Sequence, residues 1–244
     1  MIGLYRKNEL TFSIVWIVLY VILLSVADSI SLELGTAKIV TVPVCVVMTA
    51  FLIVWIVKNG LCEKYGLAKI QIDYRKYLYF LPLVLIASVN LWGGVTLRLS
   101  VLESLLYVVS MLCVGFIEEI IFRGFLFKAI CRENVKRAIF ISSITFGIGH
   151  IVNLLNSAEI FETLLQICYA TAIGFCFTII FYKSKSLFPC VFTHSAVNAL
   201  STFARERSQK ESILVAVILT IISVLYAVWI LKRQSSEGKA ENSI

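Results

Sequence analysis

The chain has 244 residues, 59% of them hydrophobic and 15% charged, with a mean hydropathy of +0.92 and a formal charge of +7. A soluble domain is closer to a quarter charged and half apolar, so one compact core cannot hide this much apolar side chain, and lipid must be its solvent over much of the surface. The basic residues are scattered between apolar runs without a basic stripe, which argues against a nucleic-acid partner and for membrane topology.

Taken in chain order, eight apolar stretches are long enough to cross the hydrocarbon layer, which takes about 20 residues as helix. They fall near 10–27, 38–57, 77–95, 101–127, 137–156, 162–182, 186–204 and 212–231. The short alternating segments of a membrane barrel are absent. The first stretch is read as a permanent span, since it runs long and no small-x-small cleavage site precedes Asp28. With the N-terminus in the cytoplasm, sixteen of the 22 Lys and Arg fall on inside segments and five outside, Arg123 lying within a span. That asymmetry predicts an all-α, polytopic membrane bundle of eight transmembrane helices with both termini cytoplasmic. Residues 1–233 read as a single transmembrane domain and 234–244 as a disordered cytoplasmic tail. The seven Cys are odd in number, lie mostly within apolar runs and match neither a zinc site nor a disulfide framework; they read as small buried hydrophobes.

Charged side chains at mid-bilayer cost about 2.5–3.5 kcal/mol each on insertion scales, so they mark sites with partners or purpose. The fourth span carries Glu118, Glu119 and Arg123, and the chain's two histidines, His150 and His194, both lie in spans. Counted from the nearest inside basic residue, Glu118 is about 15 Å deep, His150 about 20 Å and His194 about 13 Å. Three spans thus bring polar groups to one slab of the cytoplasmic half of the bilayer, as one shared site requires.

Spacing assigns provisional roles. Glu119 and Arg123 are four apart and can pair, whereas Glu118 points about 100° away toward another neighbour. Left without a cation of its own in a low-dielectric pocket, Glu118 suits a general base. His194 and Asn198 share a helical face from which both could donate hydrogen bonds to an oxyanion. Phe146 shares a face with His150 and either fixes the imidazole or contacts lipid or a neighbouring helix. Gly147 and Gly149 read as small-residue helix packing. Pro189 sits in the first turn of the seventh span, where proline is tolerated, and Asn153 and Asn156 read as capping or water-facing.

Glu118-Glu119-Ile-Ile-Phe-Arg123, Phe146 to His150 and His194 to Asn198 form three motifs in order on three spans. Together they resemble the CPBP family of CAAX proteases and bacteriocin-processing enzymes, also called the Abi family, over about residues 100–204. The resemblance implies a helical bundle with a polar cavity opening toward the cytoplasm and membrane. It further implies an intramembrane endopeptidase in which Glu118 and His150 activate water and His194 and Asn198 stabilise the oxyanion, with Glu119, Arg123 and Phe146 in support. No cofactor is expected in the favoured, glutamate-dependent reading. Zinc is the alternative, with Glu118, His150 and His194 as its ligands; no His-Glu-x-x-His is present. The expected partners are a peptide or membrane-protein substrate and the lipid bilayer of the cell membrane. Two other readings stay open: a catalytically silent immunity or scaffold protein of the same fold, and a proton-coupled transporter, since intramembrane Glu and His also carry protons.

Overall fold

The architecture comes from a computed structural model, which describes residues 1–68, 80–156 and 158–241. A short helix α1 (Ile2–Lys7) leads into α2 (Glu9–Glu33), whose first turn is closed by the Asn8 side chain accepting from the Thr11 amide. Helix α3 (Thr41–Lys58) returns antiparallel. After a loop come α4 (Leu81–Ala87) and a 3-10 turn at Val89–Leu91. Helix α5 (Val101–Glu119) starts from a capping box between Ser100 and Glu103. It continues as a π-helix over Ile120–Phe127 and ends as α6 (Lys128–Cys131). Helix α7 (Val135–Gly149) gives way to a 3-10 segment at His150–Asn156, and α8 (Ile160–Ser184), α9 (Phe188–Ser201) and α10 (Gln209–Glu241) complete the bundle. Among the described residues the β-structure is one isolated bridge, between Val95 and Ala204.

Among the described residues, six segments are long and apolar enough to cross a membrane: Glu9–Glu33, Thr41–Lys58, Val101–Cys131, Val135–Leu155, Ile160–Ser184 and Gln209–Lys232. They correspond to six of the eight expected spans. The expected span at 77–95 begins in residues outside those described and continues as α4 and the 3-10 turn. The one expected at 186–204 forms α9, whose 14 residues reach about 21 Å, less than the ~30 Å of hydrocarbon. These two short helices pack on each other. Helix α10 extends beyond its apolar stretch into the polar segment from 234, and residues 242–244 lie outside those described.

Exposure along α2 shows why this is a membrane fold. Ile14, Val18, Ile22 and Val26, spaced by four, are each about half exposed, while Phe12, Trp16, Tyr20 and Ala27 on the opposite side are buried. Both faces are apolar, so lipid covers the first and the bundle the second. Inside, Phe12 stacks on Trp55 of α3 and meets Phe125 of the π-helix edge-on, both at 5.0 Å between ring centres. The π-helix, all eight residues of which are buried, is thereby fixed against α2 and α3. On its other side α5 touches α9. A Cβ at Gly115 would lie 2.7 Å from the Ser195 amide nitrogen and 2.8 Å from its Cα, so only glycine permits this approach. The Ser195 hydroxyl completes the contact by donating to the Leu112 carbonyl at 3.1 Å. Helix α8 lies against both α7 and α10.

Candidate active site

Each expected site residue is delivered by the end or the break of a helix. Glu118 and Glu119 are the last α-helical residues before the π-helix, and Arg123 lies within it. A π-turn is wider than an α-turn and is a frequent mark of functional sites. His150 stands where α7 ends and its chain tightens into the 3-10 segment, so the expected continuous span at 137–156 is in fact two conformations that meet at this histidine. His194 and Asn198 lie on α9, whose first turn contains Pro189 as expected.

Arg123 and Glu119 are fully buried and joined by Arg123 Nη1 to Glu119 Oε1 at 3.0 Å. Their i, i+4 spacing produces the pair read from the sequence. The guanidinium also lies over the Phe146 ring, 4.1 Å from its centre, and 5.7 Å from that of Phe177. A cation inside a bundle is thus held by one carboxylate and two ring faces. Phe146 is buried and faces His150 and His194 edge-on, at 5.4 and 5.5 Å. Of the two readings left open for it, lipid contact is therefore excluded.

The same Glu119 oxygen that meets Arg123 lies 2.8 Å from His194 Nδ1. A carboxylate paired with arginine is an acceptor, so Nδ1 carries the proton of this contact, and Nε2 is left to face the cavity. There Nε2 stands 3.5 Å from Glu118 Oε2. The other Glu118 oxygen accepts a hydrogen bond from the hydroxyl of Tyr20 on α2. Glu118 and Glu119 thus share His194 through opposite ring nitrogens, and Glu118 has in addition a neighbour of its own, a phenol the sequence reading missed. Tyr20 shares the buried face of α2 with Trp16 and Ala27, but a helix apolar all round gives no periodic signal by which to find that face.

Tyr20, Glu118, His150, His194 and Asn198 all line one cavity of about 800 Å³. Asn153, expected to cap or face water, also lines it and donates through Nδ2 to Gln166 Oε1 at 2.8 Å. The floor is made of the buried rings of Phe122, Phe146 and Phe177, and the exposed residues of the lining, among them Leu32, Ile151, Ala158 and Ser201, form a rim. These rim residues belong to the end of the bundle that carries the α2–α3 turn. Among the described residues, no three His, Cys, Asp or Glu side chains are grouped closely enough to hold a metal ion.

No curated protein and no solved structure matches the chain. The family model described as "Type II CAAX prenyl endopeptidase Rce1-like" matches residues 100–200, the segment that holds Glu118, Arg123, His150, His194 and Asn198, whereas Tyr20 lies outside it. Over these residues the chain is similar to the type II CAAX prenyl endopeptidase Rce1-like family.

Proposed function

We propose that the protein is an intramembrane endopeptidase of the cell membrane that hydrolyses a peptide bond with water activated by Glu118 and His150. The observation that supports this most strongly is the convergence of Glu118, His150, His194 and Asn198 on one cavity, behind a Glu119–Arg123 pair that orients His194.

Water attacks the peptide carbonyl carbon, and its proton passes to the Glu118 carboxylate. The carbonyl oxygen becomes an oxyanion, received by the Asn198 amide and by His194 Nε2–H. Because Nδ1 is tied to Glu119, Nε2 donates only when the ring is protonated, and the Glu119 carboxylate beside Nδ1 compensates that positive charge. The proton held by Glu118 then goes to the leaving amine as the C–N bond breaks. Tyr20 fixes the rotamer of Glu118 through its hydrogen bond, so the free lone pairs face the cavity.

The charge distribution further supports eight crossings with both termini cytoplasmic, the region from 77 to 95 and α9 completing the set. A purified full-length preparation is offered an internally quenched library of hydrophobic peptides. Cleavage is expected for the wild type and absent for Glu118→Gln and His150→Ala; cleavage that persists in both variants refutes the site. A chelator arm is expected to leave activity unchanged. Activity lost to a strong chelator and restored by zinc would instead assign Glu118, His150 and His194 as ligands.

A further inference from the structure

The resemblance implies a cavity opening toward the cytoplasm; the contacts at the two ends of the bundle point the other way. Two sets of contacts define its ends. At one end Glu9 pairs with Lys64 at 2.7 Å and Arg132 at 2.9 Å, and Lys64 also lies over the Tyr5 ring of α1. Lys58 closes α3 there, and the carbonyl of Lys185, after α8, lies against Gly66 in the loop that follows α3. This end carries the N-terminus and most of the basic residues, sixteen of the 22 Lys and Arg by the partition of the sequence. At the other end Lys38 pairs with Asp28 at 2.8 Å, the Ala37 amide donates to Glu103 at the start of α5, and Arg205 pairs with Glu211 at 2.7 Å.

The cavity is closed toward the first end by Phe122, Phe146 and Phe177, and its lining reaches the second through Asp28, Ala37 and Lys38. The positive-inside rule assigns the basic end to the cytoplasm. Combining the two, we infer that the site is entered from the non-cytoplasmic face, and that its substrate is an extended peptide segment displayed on that face rather than a cytoplasmic tail. This rests on the proposed peptidase activity.

The dimensions of the cavity narrow the substrate class. Its volume of about 800 Å³ is in the range that encloses a drug-sized ligand, whereas a helix with its side chains is about 10–12 Å across. From Tyr20, at Glu118, to Asp28, at the rim, α2 rises eight residues, about 12 Å. An extended chain covers that distance in about four residues. The substrate must therefore supply about four unfolded residues between the surface of the membrane and the scissile bond. The Asp28–Lys38 pair, with the Thr41 hydroxyl on Asp28 at 2.5 Å and Lys38 over the Tyr107 ring at 5.0 Å, stands on that path.

The test uses full-length protein with an N-terminal tag in proteoliposomes, separated by tag capture into tag-out and tag-in populations. The probe is a quenched peptide that the detergent-solubilised enzyme cleaves, extended with charged residues so that it cannot cross a bilayer, and added outside. Tag-in vesicles, with the rim outward, are expected to cleave it at least tenfold faster than tag-out vesicles, the difference vanishing when detergent is added. The reverse preference, or equal rates before detergent, overturns the inference. A solubilised enzyme that cleaves nothing overturns the peptidase reading itself, and this inference with it. In cells, an impermeant maleimide is expected to label Glu33→Cys from outside and Glu63→Cys only after permeabilisation, in a chain whose native Cys are replaced. The opposite labelling would place the rim in the cytoplasm and overturn the substrate assignment.

Discussion

His194 Nδ1 lies 2.8 Å from Glu119 Oε1, so the imidazole is oriented by a carboxylate that faces away from the proposed chemistry. That single oxygen also receives Arg123 Nη1 at 3.0 Å. Stability and catalysis are therefore joined at Glu119.

Removing one partner of a fully buried ion pair leaves an uncompensated charge and costs about 3–5 kcal/mol. Arg123→Met is expected to show a loss of that size in equilibrium unfolding in detergent. The double variant Glu119→Gln/Arg123→Met should recover much of it, a non-additivity that marks the pair, without recovering activity, because His194 loses its orienting carboxylate. An Arg123→Met variant as stable as the wild type would show that the pair is not what holds this region.

Helix spacing offers a second test. Gly115→Ala places a Cβ against the Ser195 backbone at 2.7–2.8 Å and pushes α9, with His194, away from α5. A displacement of about 1 Å can cost a factor of about 100 in rate, so turnover should fall by that order in a protein that still folds. At Gly149, beside His150, an added Cβ would meet Phe122 Cζ at 3.9 Å, an ordinary contact. Gly149→Ala should keep activity within about twofold, a comparison that separates close packing from mere proximity to the site.

Tyr20→Phe removes the hydroxyl that orients Glu118 and leaves the ring in place. A hydrogen bond to a charged group contributes about 1.5–3 kcal/mol, which predicts a fall in kcat of roughly ten- to a hundredfold with KM nearly unchanged. A rise in KM at constant kcat would make Tyr20 a substrate contact rather than a positioning residue.

What the sequence made legible follows from what lipid and burial penalise. Buried charge is costly enough that Glu118, Glu119, Arg123, His150 and His194 stand out in an apolar chain, and helical spacing suffices to pair Glu119 with Arg123. The six long spans are equally visible, because their length is set by the bilayer. The inward side of each span was not, since in a membrane both faces are apolar; Tyr20 escaped notice for this reason. The π-helix at Ile120–Phe127 and the tightening of the chain at His150 are tertiary effects. No Pro announces either, and the π-helix is packed through aromatic contacts such as Phe12 with Phe125. The direction in which the cavity opens is not legible in the sequence for a related cause: depth within a span says how far a group lies from one surface, and not which surface it can be reached from.

In the proposed reaction, water activated by Glu118 is the nucleophile. Cleavage of a selected peptide in ¹⁸O-water, followed by mass spectrometry of the products and of the Glu118-containing fragment of the enzyme, tests it directly. One ¹⁸O is expected in the new carboxyl group of the N-terminal product and none in the Glu118 side chain. Label appearing in Glu118 would mean that its carboxylate attacks the substrate covalently, and would contradict it.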